Sequence, residues 1–512
     1  MTNLAPGGSQ VGREQLRKDM LSGSMWGLAG QGASLATSLV LTPFIIRSLG
    51  PDAYGALVFV GLATNCIVFT DLGMGIASTR LGAAAASLGD GKREVQVFWS
   101  ALGLIAFSTV ASAALLAWFA QPISSHFVDG TPTLLHATAF GLQLSCVAFW
   151  LRGLAGVTNT PQLARFRFRS YTLVHYGAAV SQTVLTVVVL GLGGGLVSAT
   201  GVAAGMAGVT FGVHFLLAMQ LQPEVRHPCV ASTAVRDLLR VGLPSALSSL
   251  IGNALFFGER LLVAAFLSPR DLAFYSVAIS LAQLIEVVPT ALGYPLVPAF
   301  AHLQATAQYA SMNSLRSGAT RLVLLLVSPF PLACYLGGRS VLSLWAGPEY
   351  AAAGAIPLVA LSLGACANAL ALTPRSLLQA CGRTDIVARI HSLLLAPYAL
   401  GAFYLVVSAG VTGAAIAWSV RSMAECVMVT VRARKLYQVE VHAGSGFGPV
   451  WAVIALLCCA GWLTGPDQPL VIVLTAFPLA ACAYLGLAWR VLLSPRERDW
   501  IKAVVSHLRT LR

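Results

Sequence analysis

Apolar runs of about 20 residues, the length that crosses a bilayer as one helix, recur from one end of this chain to the other. About fourteen can be placed, near 23–46, 54–76, 96–120, 133–156, 171–191, 196–219, 241–267, 272–297, 320–341, 351–373, 388–408, 411–433, 449–464 and 469–492. Polar breaks between them are short, so the spacing predicts an all-α, polytopic membrane protein. The stretch Leu41–Arg80 sets the pattern. One apolar helix runs into Arg47, turns at Leu49-Gly50-Pro51-Asp52, and gives way to a second that ends in Asp71-Leu72-Gly73-Met74-Gly75. The turn is too short to leave the membrane far, so the pair forms a transmembrane hairpin. A weaker copy opens at Leu267-Ser268-Pro269-Arg270-Asp271. Pro51 and Pro269, Gly75 and Gly293, and Gly195 and Gly413 are all 218 positions apart, which suggests two related halves.

Composition strengthens this picture. The chain is 57% hydrophobic and 10% charged, where soluble domains carry about 25% charge. The net charge of +13 could suggest nucleic acid, but the basic residues are scattered between spans and form no recognition module. With the N-terminus inside, outer loops and their flanks hold only Arg47, Arg270 and Arg339. Arg260 and Arg421 lie within spans, and the other 27 of 32 Lys and Arg residues fall on the cytoplasmic side. That asymmetry is the positive-inside pattern, and it puts both termini in the cytoplasm. The ten cysteines lie mostly inside spans without CxxC or zinc spacing, and read as small packing residues. Residues 1–22 form a cytoplasmic segment whose charged part, 11–22, is expected to be a short helix on the inner leaflet. Residues 221–240 are a cytoplasmic connection between the halves, and 493–512 an amphipathic cytoplasmic tail.

Enzyme signatures are missing. No GxxxxGK[ST] loop is present for ATP hydrolysis, and no HExxH, GxSxG or Cys/His cluster appears. No cofactor or metal is expected. What remains is a set of ionisable residues at membrane depth, each costing roughly 2.5–3.5 kcal/mol on insertion scales. Arg47 can attract an anionic head group or anchor a helix end. Asp71 can bind a cation or pair with Arg80. Arg152 either snorkels to lipid phosphate or faces a cavity. Glu259 and Arg260 are adjacent within one span, so they point in different directions and at least one should reach a neighbouring helix or a wet cavity. Glu286 can bind a coupling proton or sodium ion, or partner Arg260. Arg421 and Glu425 are four residues apart, the spacing of a local ion pair. His391, with His136, His175 and His214, reads as an isolated interior or interfacial histidine.

The run Arg47-Ser48-Leu49-Gly50-Pro51-Asp52-Ala53-Tyr54-Gly55, with Asp71-Leu72-Gly73-Met74-Gly75, resembles the opening hairpin of bacterial Wzx-type polysaccharide flippases of the MOP transporter superfamily. Leu378-Gln379-Ala380-Cys381-Gly382-Arg383 and Gly410-Val411-Thr412-Gly413-Ala414-Ala415 look like that family's second-half signatures. The resemblance implies two six-helix lobes around a central cavity, here 23–220 and 241–433, with a final helix pair at 449–492. It implies alternating access that carries an undecaprenyl-diphosphate-linked oligosaccharide across the bacterial inner membrane for O-antigen, lipopolysaccharide or exopolysaccharide synthesis. Polysaccharide polymerase and export machinery would be partners. Arginines would hold the diphosphate, with Arg47, Arg80, Arg152 and Arg260 as candidates. Asp71, Glu259 and Glu286 are candidates for coupling to H+ or Na+. A drug or small-cation antiporter of the related MATE branch is the alternative, and would favour an acidic, aromatic-lined cavity. A membrane polymerase or ligase would need a sizeable outer loop with reactive groups, which the sequence does not contain.

Overall fold

The computed structural model describes residues 10–128 and 132–437, together with Gly486. The expected spans at 449–464 and 469–492 and the tail 493–512 lie outside the described residues, apart from Gly486. Among the described residues the chain is helical without strands, and nine stretches are long and apolar enough to cross a membrane. It is a multi-pass membrane protein.

The first helix, α1 (Gln10–Cys66), is two spans in one. Its apolar part, Met25–Cys66, has 42 residues, roughly 63 Å if straight and twice the hydrocarbon thickness. It cannot cross once. Pro51 cannot donate to the helix ladder and disfavours α geometry in the residue before it. That residue is Gly50, which takes φ 73°, ψ 170° and breaks the rod. The stretch 11–22 is helical and continuous with the first span rather than a separate element. A 3-10 turn, Val68–Asp71, follows, with Leu72 and Gly73 both at positive φ. Then come α2 (Met74–Ser87), α3 (Gly91–Trp118), α4 (Ala120–Phe127), α5 (Pro132–Thr158), α6 (Thr160–Ala164), α7 (Phe168–Gly191), α8 (Leu196–Leu221) and α9 (Ser232–Phe266). The later helices are α10 (Pro269–Gln283), a 3-10 turn Leu284–Glu286, α11 (Val287–Ala305), α12 (Tyr309–Val327), α13 (Pro329–Trp345), α14 (Pro348–Ala380) and α15 (Thr384–Tyr437). Helix α15 is again a double span, broken at Gly410 (φ 56°).

The repeat seen in the sequence governs these boundaries. Helices α3 and α12 begin 218 residues apart, at Gly91 and Tyr309. Helices α5 and α7 begin 216 residues before α14 and α15. The 3-10 turns Val68–Asp71 and Leu284–Glu286 begin 216 residues apart and interrupt their spans at nearly equivalent positions.

The chain packs as two compact units, Met1–Ala273 and Phe274–Arg512. The packing boundary therefore falls beyond the 221–240 connection, and α9 packs with the first unit. The first core joins Met74, Phe98, Ile105, Leu154, Val157 and Leu238. Trp99 Nε1 donates to Val225 O at 2.9 Å, and Arg93 pairs with Asp237 at the base of α9. Arg165 grips the buried Glu94 with both guanidinium nitrogens. Gly73 and Gly242 let the α2 turn and α9 touch backbone to backbone. At the opposite end of α9, the two repeat-related turns meet: Arg270 Nη2 lies 3.1 Å from Asp52 Oδ2, and these positions are themselves 218 apart. The second unit has its own core of Phe300, Met312, Leu377, Leu378, Ile390 and Val429. Large apolar side chains such as Phe107, Trp118 and Leu400 stay exposed on the outside, as a lipid-facing surface requires.

Gly55 carries the contact between the turns. A Cβ there would overlap the Pro269 carbonyl oxygen, a backbone atom that has no rotamer to escape into. Gly55→Ala is expected to cost at least the 1–3 kcal/mol of an overpacked core, read as a lower thermal midpoint and lower monodisperse yield in detergent. Gly61→Ala, one helical stretch on and facing open space, should leave both unchanged.

Candidate functional site

Polar residues are built into both units, as two separate groups in the first and one network in the second. In the first unit, the break after α1 folds round Asp71. Its Oδ1 accepts the Gly73 N–H at 2.7 Å, an Asx turn that holds Leu72 and Gly73 in left-handed geometry. Beyond it, Asp71, Thr79, Arg80, Asn159 and Ser249 line a cavity of about 560 Å³. Arg80 is exposed there. The expected alternative of an Asp71–Arg80 pair is not seen among the described residues; the two share a cavity and not a bond.

Glu259 and Arg260 sit six residues or so, about 9 Å along the helix axis, from the end of α9. Glu259 is fully buried, and the Arg260 side chain is 13% exposed. Their contact is long, 3.8 Å from Nε to Oε1. The guanidinium lies over the Phe257 ring, 5.2 Å from its centroid, and its Nε is buried with no hydrogen-bond partner among the described residues. A guanidinium has five donors in a fixed fork. Here that fork is held by a ring face and a distant carboxylate, which leaves it donors for an anion.

The remaining first-unit candidates stand apart from these. Arg47 is exposed just before the Gly50 break. Arg152 is exposed on α5 and donates to Gln182 Oε1 on α7 at 3.3 Å. The structure thus brings Asp71 together with Arg80, and Glu259 with Arg260, but does not gather the four arginines into one contact.

In the second unit Glu286 belongs to a network. Its Oε1 accepts from Asn368 Nδ2 at 2.9 Å. The Asn368 side-chain and backbone oxygens both accept from Arg375 Nη2 at 2.8 Å. Arg375 Nη1 continues to Glu425 Oε1 at 3.1 Å, where His391 Nε2 also arrives at 3.1 Å. The other Glu425 oxygen takes Arg421 at 2.9 Å, the local pair expected from the spacing. Arg421 also lies over the rings of Tyr398 and Trp418. Two carboxylates and two guanidiniums balance, and Asn368 relays between them.

Asn368 and Arg375 were not among the candidate residues singled out by sequence, and His391 was read as isolated, whereas it meets Glu425. Arg375 reads as a loop residue when the span is ended before Pro374, yet α14 runs through that proline to Ala380. The available signal was Asn368 and Arg375 at i, i+7, two turns apart on one face of an otherwise apolar helix.

Residues 20–304 match the family described as "Polysaccharide biosynthesis protein", more than half of the chain. This chain belongs to that family. Within its reach, a candidate O-antigen transporter of Shigella flexneri is 23% identical over 429 residues, covering 80% of this chain and 96% of its own. Among solved structures, the lipid II flippase MurJ in an inward closed conformation superposes with a TM-score of 0.72 at 11% identity, covering 91% of this chain and 98% of that one. An inward-facing multidrug resistance MATE family transporter of the MOP superfamily gives 0.64 at 15% identity, with 81% and 94% covered. At these identities the structures speak for the fold: this polysaccharide biosynthesis family member shares the polytopic, all-helical fold of those proteins.

Proposed function

We propose that this protein is a flippase that moves a polyprenyl-diphosphate-linked oligosaccharide across the bacterial inner membrane by alternating access, with both termini cytoplasmic. The observation that carries this reading is Arg260, a guanidinium kept within a span with hydrogen-bonding capacity to spare. A flippase must shelter an anionic, hydrated head while the lipid chain stays in the bilayer, and planar bidentate recognition makes Arg the fitting residue for a phosphate. Arg80, beside the 560 Å³ cavity, is the candidate for first contact on the cytoplasmic side. Arg47 and Arg152 serve as peripheral attractors. Glu286 is the candidate for ion coupling, because an amide rather than a cation faces its carboxylate. Asp71 and Glu259 are weaker candidates, the first engaged in its turn and the second beside Arg260. A polysaccharide polymerase would act on the product.

The test is reconstitution of the full chain in proteoliposomes with a lipid-linked oligosaccharide, followed by the leaflet accessible to a glycosidase. Time-dependent movement to the opposite leaflet, stopped by collapsing a proton or sodium gradient, is expected; no movement under any gradient would refute the transport reading.

A cation antiporter is the second reading, supported by the carboxylates Glu286 and Glu425 within the second unit. Arg375 and Arg421 both bond Glu425 there, which weakens it.

A further inference from the structure

Two arginines of the first unit, Arg167 and Arg169, stand at the membrane surface with no part in the reading above. Helix α7 has 24 residues, or about 36 Å, enough to run from one headgroup layer to the other. The preceding span closes at Ala164 and the next opens at Phe168, so Arg165, Phe166 and Arg167 are the whole link between two spans. The first span, which opens at Met25, lies against α7, because a Cβ on Gly30 would overlap Thr172 and Tyr176. One turn earlier on each helix, Trp26 meets Arg169. The guanidinium lies over the indole, 5.5 Å from its centroid. The starts of both spans therefore share one level, that of the lipid headgroups.

The link presents an aromatic ring where a glycine would turn with less strain. The Phe166 N–H bonds the Leu163 carbonyl, and the Arg167 N–H bonds the Gln162 carbonyl. These paired bonds end a helix on one left-handed residue, usually glycine. Here that residue is Phe166, at φ 54° and 47% exposed, its ring 5.9 Å from that of Phe168. Phenylalanine in this place carries backbone strain and leaves carbon uncovered. Water compensates neither, whereas the boundary between headgroups and acyl chains accepts the ring. Leu173, one turn beyond Arg169, is exposed as well.

Charge selects the partner. Other arginines of this unit are engaged, Arg93 by Asp237 and Arg165 by Glu94. Arg167 and Arg169 are exposed, and neither pairs with a carboxylate among the described residues. Stacking on Trp26 occupies a face of the Arg169 guanidinium and leaves its N–H edge for an acceptor. Phosphatidylethanolamine brings its own ammonium to its phosphate. Phosphatidylglycerol brings none, so its phosphodiester is the better match for two guanidiniums.

We infer that Trp26, Phe166, Arg167 and Arg169 form a docking surface for an anionic phospholipid, its phosphodiester held by the two guanidiniums and its chains beside Phe166 and Leu173. The inference needs the chain to span a membrane and does not need it to be a flippase. In the orientation proposed above, the leaflet is the cytoplasmic one.

The test is native mass spectrometry of the full chain in detergent, titrated with equimolar phosphatidylglycerol and phosphatidylethanolamine of the same acyl chains. The unaltered chain should retain phosphatidylglycerol at least fivefold over phosphatidylethanolamine. Arg167→Gln with Arg169→Gln should bring that ratio to parity. Phe166→Gly supplies the residue the turn prefers, so it keeps the fold, and should cut retained phosphatidylglycerol at least twofold. Lys92→Gln with Arg240→Gln removes the same charge from two other exposed positions and should leave the ratio unchanged. Only monodisperse protein with an unchanged thermal midpoint is scored. An equal loss in the Lys92 and Arg240 pair would make the attraction a matter of net charge and overturn the proposal. No preference in the unaltered chain, a ratio unmoved by the Arg167 and Arg169 pair, or full retention by Phe166→Gly would overturn it too.

Discussion

Replacing Arg260 with alanine is expected to lower surface glycan export at least tenfold without lowering the amount of folded protein. The two halves of that expectation come from different energies. A guanidinium within a span costs roughly 2.5–3.5 kcal/mol on insertion scales, so removing it does not by itself harm insertion. Its contact to Glu259 is 3.8 Å long, too long for a hydrogen bond, and so stabilises the fold little. On the proposed reading its contribution falls instead on a bound phosphate, where a charge-assisted, forked pair is roughly twice as strong as a neutral hydrogen bond. Because Arg260→Ala also changes the surroundings of the buried Glu259, the companion variant is Glu259→Gln with Arg260→Gln, which keeps shape and removes both charges. Export should fall equally in both. Normal export in the double variant would take Arg260 out of the site. Arg260→Lys should recover part of the export, since it restores charge without the fork.

Glu425→Ala should have the largest effect on stability. Glu425 is 2% exposed and receives Arg375, Arg421 and His391. Removing it strands the buried Arg421 and uncouples Arg375, the situation that costs about 3–5 kcal/mol when one partner of a buried pair is deleted. The thermal midpoint in detergent and the yield of monodisperse protein should both drop sharply. Glu286→Gln should be mild by comparison, because Glu286 meets one amide hydrogen and a glutamine oxygen still accepts it. That contrast would separate a structural Glu425 from a Glu286 that is not needed for the fold, as the proposed coupling role requires. If Glu286→Gln destabilised as much as Glu425→Ala, the network would be structural throughout.

Much of this was legible in the chain. Within the described residues run length anticipated long apolar helices, Gly50-Pro51 announced the break in α1, and the 218-residue offset reappeared in the starts of α3 and α12. Asp71-Leu72-Gly73 could have been read further, since Asp two residues before a Gly is an Asx-turn signal; the carboxylate's pull on its own backbone explains why it does not pair with Arg80. What periodicity could not supply was partnership. That α9 packs with the first unit depends on Trp99, Arg93 and Gly73, which lie well over a hundred residues away in sequence. His391 looked isolated because its partner, Glu425, lies on the other limb of α15. Arg375 was hidden by a proline that a membrane helix tolerates when neighbours satisfy the freed carbonyl.

The Asp52–Arg270 contact has a bearing on ancestry. The bridge is half in solvent, and such pairs are worth about 0–1 kcal/mol, so its meaning is not strength. Two newly duplicated copies would have carried the same residue at both positions, where no acid–base pair could form. An acid on one side and a base on the other record that the copies diverged to suit each other at this joint. A protein stitched from two identical first halves, or two identical second halves, would meet repulsion there before any other mismatch was felt.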